Sequence, residues 1–119
     1  MKYLLITNTV FCFLLAAIMV FVPQVVINSP NPEAATAALA KAFGFAVVCV
    51  GFLSMFMGRL PENKQALLMG LFVLSVFHVG LTLTHLANAL QGVVPNVLPF
   101  AHALFSVAFI RFVLKEIKQ

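Results

Sequence analysis

Residues 66–90 read ALLMGLFVLSVFHVGLTLTHLANAL. No Lys, Arg, Asp or Glu interrupts them, and the run exceeds the roughly 20 residues that a helix needs to cross hydrocarbon. Inside it Ser75, His78, Thr82, His85 and Asn88 follow one another at spacings of three, four, three and three. At about 3.6 residues per turn these five fall on one helix face. A polar stripe along a membrane-length helix is expensive in lipid. It is expected to face a partner helix, a ligand or a pathway.

Working outward, three more apolar segments appear, giving spans at about 3–23, 35–58, 65–90 and 96–115. The chain is 63% hydrophobic and 8% charged, against about 25% charged in soluble domains. Three Glu and no Asp leave nothing to build a solvated surface. The 119 residues are therefore expected to form a single four-span domain, an all-α integral membrane four-helix bundle. The first span follows Lys2 like a signal peptide. Its apolar run outlasts a signal h-region and no small-residue cleavage site follows, so it is expected to stay as a helix.

The breaks between spans have turn chemistry. Pro23 is expected to end or kink the first span. Asn31 and Pro32 are placed to cap and open the second. Gly58-Arg59-Leu60-Pro61-Glu62-Asn63-Lys64 makes a polar turn before the third. Gly92 fits a C-terminal cap, and Pro95 or Pro99 opens the fourth span. Short connections make neighbouring helices antiparallel. Lys2, Arg59, Lys64, Arg111, Lys115 and Lys118 then share one side, and only Lys41 approaches the other. The positive-inside rule puts both termini in the cytoplasm, in a bacterial cytoplasmic (inner) membrane.

Net charge is +4, but the cations mark span ends and form no clustered basic face, so no nucleic-acid partner is expected. Cys12 and Cys49 each lie near mid-span and are expected to be reduced, buried and structural. The absence of C-x-x-C argues against quinone-linked disulfide chemistry. Glu33, Glu62 and Glu116 all lie outside the spans, which argues against small proton-coupled exporters that depend on a buried Glu. No phosphate-binding loop and no nucleophile triad is present, so no catalytic residue is assigned.

In the second span Ala37, Gly44, Gly51 and Gly58 recur every seven residues, a flat seam for close helix packing. Depth reckoning places His78 near the midplane and His85 roughly 10 Å nearer the outer surface. His102, with Ser106 one turn later, returns to the level of His85. The expected polar cluster comprises His85, Asn88, His102 and Lys41 in the outer half, with His78 and Thr82 deeper. Lys41 also reads as a snorkelling interfacial residue. Asn8 reads as a cap or interfacial polar group, with an interhelical contact as the alternative because it shares a face with Cys12 one turn on.

Three readings of the histidines compete. They form interhelical hydrogen bonds, or donate to a lipophilic ligand such as a quinone, or ligate haem or metal through His85 and His102. Proton or ion conduction along the stripe is a further alternative.

Gly44, Gly51 and Gly58-Arg59 ahead of a second basic residue, Lys64, on four short spans with an outer-half polar cluster, resemble the DoxX-like group of small bacterial membrane proteins over residues 3–115. The resemblance implies the four-helix architecture. Because the group's founding members resemble a quinone-linked thiosulfate oxidoreductase subunit, it also favours quinone among the ligands. It carries over no catalytic residue. The function expected is that of a small, non-catalytic membrane subunit or helper. It packs against itself as a homo-oligomer or against a membrane partner, and it is able to hold a lipophilic small molecule. A haem- or quinone-binding redox subunit and a small transporter or channel are the alternatives.

Overall fold

A computed structural model describes residues 1–59 and 63–118. Within them the chain is helical: α1 Lys2–Phe21, α2 Pro23–Ile27, α3 Ala34–Met57, α4 Lys64–Leu90 and α5 Val97–Ile117. All but α2 are long and apolar enough to cross a membrane. Leu60, Pro61 and Glu62, part of the expected polar turn, lie outside the described residues.

Proline and glycine set the helix limits. Residues before proline are pushed out of the α region, and Val22 duly takes φ −136° and ψ 56° between α1 and α2. Pro23 then opens α2, where its missing N–H is harmless. Asn28 ends α2 in the left-handed conformation. Gly92 follows α4 with φ +73° and donates its N–H to the Ala89 carbonyl at 3.0 Å. This left-handed cap suits a residue without Cβ. At the start of α4 the Asn63 side chain accepts from the Ala66 N–H at 2.9 Å.

Asn31 does not cap the second long helix. Glu33 is still extended (φ −55°, ψ 145°), so α3 begins at Ala34 without a side-chain cap. Pro32 disfavours the helical conformation at Asn31 before it, and the helix starts two residues after the proline rather than at it.

The long helices form two closely packed antiparallel pairs, α1 with α3 and α4 with α5. The α3–α4 contact is slighter. Gly70 of α4 lies so close to Met57 of α3 that a Cβ there would stand 2.5 Å from its sulfur. Lys2, Gly58 and Arg59 border one groove at one end of the molecule. Met1, Phe112 and Val113 pack against the apolar cluster that contains Leu5 and Met57. At the opposite end the Asn28 amide donates to the Gly92 carbonyl at 3.1 Å, tying the two connecting loops together.

The seam on α3 faces α1. A Cβ on Gly44 would meet Val20 at 3.0 Å and Met19 at 3.1 Å. One on Gly51 would stand 2.7 Å from the Phe13 ring and 3.3 Å from Cys12 Cβ. Gly58 is looser, with Leu5 Cβ at 3.9 Å, and Ala37 is half-buried. The same phase turns Cys49 outward. It is exposed, which corrects the expectation of a buried thiol, whereas Cys12 is buried.

Gly51→Leu is expected to lower stability in detergent by about 1–3 kcal/mol, the usual cost of overpacking. Gly80 has open space where its Cβ would be, so Gly80→Leu is expected to leave the melting temperature unchanged. Equal effects at both positions would place the close contact elsewhere.

Two apolar clusters fill the interior. One joins Cys12, Leu15, Ala16, Met19, Val47, Val94 and Leu98. The other joins Leu5, Met57, Leu67, Leu71, Leu74 and Phe109. Large apolar side chains such as Phe45, Phe72, Leu83, Phe100, Leu104 and Val107 point outward. An outward apolar shell around a polar inner layer matches a lipid surrounding.

Candidate functional site

Between the two clusters lies a polar layer. Asn8 of α1 follows Leu5 and precedes Cys12. His78 of α4 follows Leu74, and His102 of α5 lies between Leu98 and Phe109. All three side chains are fully buried or within 1% of it. His78 Nε2 lies 2.8 Å from Asn8 Oδ1. His78 Nδ1 lies 2.9 Å from His102 Nδ1. One continuous hydrogen-bonded chain therefore joins α1, α4 and α5, and with it the two helix pairs.

The roles within the chain follow from chemistry. An amide oxygen only accepts, so His78 Nε2 carries a proton and donates to Asn8. Asn8 Oδ1 also faces the Cys12 thiol, a weak donor, at 3.8 Å. A charged imidazole with no buried carboxylate nearby would cost far more than one hydrogen bond returns, so His78 is neutral and its Nδ1 accepts. His102 Nδ1 must then be the donor, and His102 Nε2 keeps a bare lone pair.

Aromatic rings enclose the pair. Phe105 and Phe109 stack on His78 with centroids at 5.0 and 5.6 Å. Phe11 meets His102 edge-on at 5.4 Å. Phe77 meets both imidazoles edge-on. The cage excludes water from one side of the layer and strengthens the hydrogen bonds inside it.

His85 lies one step further along α4. Its ring centroid is 5.2 Å from that of His102, with the planes tilted by 31°. It is 9% exposed, and no hydrogen bond reaches it from the described residues. His85 Nδ1, His102 Nε2 and Asn8 Nδ2 are buried without a partner among those residues.

The hydroxyls of the stripe are used locally. Thr82 donates to the His78 carbonyl and Ser106 to the His102 carbonyl, each at 2.8 Å. Their two oxygens stand 3.4 Å apart across the α4–α5 contact. Ser75 donates to the Leu71 carbonyl at 2.7 Å. Asn88 is half-buried, and its main-chain carbonyl accepts from Gln91 and Val93. Lys41 is exposed on α3 and takes no part in this layer. The geometry thus gathers His78, Thr82, His85, His102 and Ser106, and leaves Asn88 and Lys41 outside.

Two contributors lay outside the expected cluster. Asn8 is a buried anchor and no interfacial cap. Ser54 of α3 donates to the Leu5 carbonyl of α1 at 2.9 Å while fully buried. Asn8 did leave a signal, its position one turn before Cys12 on an otherwise apolar run. Ser54 left none beyond its place three residues after Gly51.

Among the described residues no group of three His, Cys, Asp or Glu is arranged to hold a metal ion. His85 and His102 lie ring beside ring. Their centroid spacing of 5.2 Å brings the two rings named for a ligand or haem into direct contact. A groove of about 900 Å³ on α5 is lined by Phe100, Leu104, Val107, Arg111 and Lys115 among others. Another of about 460 Å³ lies between α4 and α5 beside Ser75 and Gly80. Neither is lined by an imidazole.

Comparison of the chain with known protein families, characterised proteins and solved structures finds no match.

Proposed function

We propose that this chain is a multi-pass subunit or helper of a bacterial cytoplasmic membrane, with both termini cytoplasmic and no catalysis of its own. It packs against itself or a membrane partner and holds a small lipophilic ligand at the histidine layer. The observation that carries the reading is the Asn8–His78–His102 chain. Its buried polar groups serve mainly to join helices. No group of three His, Cys, Asp or Glu that could hold a metal ion accompanies them among the described residues. The DoxX-like resemblance of the glycine seam is in keeping with this reading.

Redox use with a quinone is the second reading. It is supported by the buried His85 Nδ1, which has no partner among the described residues and can donate to a quinone carbonyl. Purification in mild detergent, followed by a visible absorption spectrum, mass analysis of extracted lipids and chemical crosslinking, separates the readings. The expected result is a spectrum without a haem band and a crosslinked product containing a second protein chain. A stoichiometric haem, or a quinone that is reduced and reoxidised while bound, would overturn the helper reading in favour of the redox one.

The cytoplasmic placing of both termini is supported by the basic residues at the span ends, with Lys2 and Arg59 bordering one groove. A reporter fused after Gln119 that is active only in the cytoplasm is expected to give signal. A periplasm-only reporter at the same position is expected to stay silent, and the reverse pattern would invert the topology.

A further inference from the structure

Phe100, Leu104, Val107, Arg111, Lys115 and Lys118 follow one another along α5 at spacings of four, three, four, four and three. They form one stripe on the helix, apolar in its first half and basic in its second. A groove of about 900 Å³ runs along this stripe from Phe100 to Lys115, lined by α5 alone. A second groove of about 550 Å³, bordered by Ile110, Leu114 and Lys118, shares Val107, Arg111 and Lys115 with the first. Arg111 and Lys115 therefore stand where the two grooves meet, and both are exposed. Glu116, the one carboxylate of α5, falls about 100° round the helix from Lys115 and lies off the stripe.

We propose that this face binds one anionic phospholipid, its phosphate held by Arg111 and Lys115 and its acyl chains lying in the two grooves. The two cations are about 6 Å apart along the helix axis. One phosphate can accept from both, from the fork of the guanidinium and from the point charge of the ammonium. Arg111 to Phe100 is roughly 16 Å of helix, which matches the hydrocarbon depth of one leaflet, about 15 Å. The long stem of Arg111 lies along apolar surface while its charge reaches the headgroup layer. A second copy of the chain fits this face worse. Copies inserted alike in one bilayer and meeting here would set Arg111 beside Arg111 and Lys115 beside Lys115, and like charges across an interface repel. A choline lipid brings a fixed cation of its own to the same pair, so the charge favours an anionic headgroup.

The chain contains no Trp, so Leu104→Trp places a single indole in the larger groove. The full chain carrying it is reconstituted in dioleoylphosphatidylcholine vesicles. Phosphatidylglycerol or phosphatidylcholine, brominated on the acyl chains, serves as the quencher. Leu14→Trp, at an exposed position of α1, is the control. At Leu104→Trp the brominated phosphatidylglycerol is expected to bind about fivefold more tightly than the brominated phosphatidylcholine, the worth of one cation beside anionic lipid. At Leu14→Trp the two are expected to quench equally. Arg111→Gln with Lys115→Gln is expected to erase the preference, and Arg111→Lys to keep it. Both side chains are exposed, so the buried layers stay intact, and Lys115→Gln alone repeats the test at one charge. Lys2→Gln with Arg59→Gln, on the groove that α1 and α3 border, is expected to leave the preference unchanged.

Equal quenching by the two lipids at Leu104→Trp would overturn the site. So would a preference that survives Arg111→Gln with Lys115→Gln, or one that Lys2→Gln with Arg59→Gln removes as fully, since either reports attraction by net charge alone. The same preference at Leu14→Trp would overturn it for that reason too. Quenching by neither lipid would mean that a second copy of the chain, not lipid, covers the groove. None of these results bears on what the histidine layer holds, which the absorption spectrum and lipid extraction decide.

Discussion

His78→Phe is expected to destabilise the protein by about 2–4 kcal/mol. The imidazole is the middle of the polar chain, and removing it strands two buried groups at once. Asn8 Oδ1 loses its donor and His102 Nδ1–H loses its acceptor. Each orphan costs about 1–3 kcal/mol. The phenyl ring replaces the volume and keeps the stacking against Phe105 and Phe109, so packing loss is small.

The control is a double-mutant cycle with Asn8→Leu. Removing both partners of a buried bond by apolar groups costs less than removing one. The double variant should therefore lie below the sum of the singles, with a coupling of about 0.5–3 kcal/mol. Reversible unfolding in mixed micelles gives the numbers. Additive losses would mean that Asn8 and His78 do not share a hydrogen bond. Losses well under 1 kcal/mol in every variant would match the weaker average of interhelical bonds in lipid and would demote the layer from joint to ornament.

The sequence displayed the architecture because membrane-length apolar runs and turn residues are local signals. The runs around Leu15, Val47, Leu74 and Phe105 each fill one span, and Pro23 and Gly92 stop helices by steric rules that need no tertiary context. The stripe from Ser75 to Asn88 was legible for the same reason. Which of its members meet which partners was not. Counting residues fixes depth only to about one turn, and an imidazole can bridge that difference. His102 consequently lies against both His78 and His85, where chain counting placed it level with His85 alone. Asn8 was hidden by its position near a span end, where polar residues usually meet water. Only the packing of α4 beside α1 reveals that it faces His78. The pairing of α1 with α3 was readable in Gly44 and Gly51 as a seam, although the sequence did not say which helix would fill it.

His102→Phe and His85→Phe are expected to behave differently, although the two rings are neighbours. His102 donates to His78, so its loss bares a buried acceptor, and about 1–3 kcal/mol of stability should go with it. His85 makes no hydrogen bond to the described residues. His85→Phe is therefore expected to change stability by about 0.5 kcal/mol or less. Whatever His85 contributes should appear in bound ligand instead. Melting temperature and bound-ligand content are measured together for both singles and for the double variant. The expected pattern is a lowered melting temperature for His102→Phe and the double, with ligand lost in all three. A large fall in stability for His85→Phe with ligand content unchanged would make that ring a structural element. The unpartnered nitrogen on His85 would then be an accident of packing rather than half of a site.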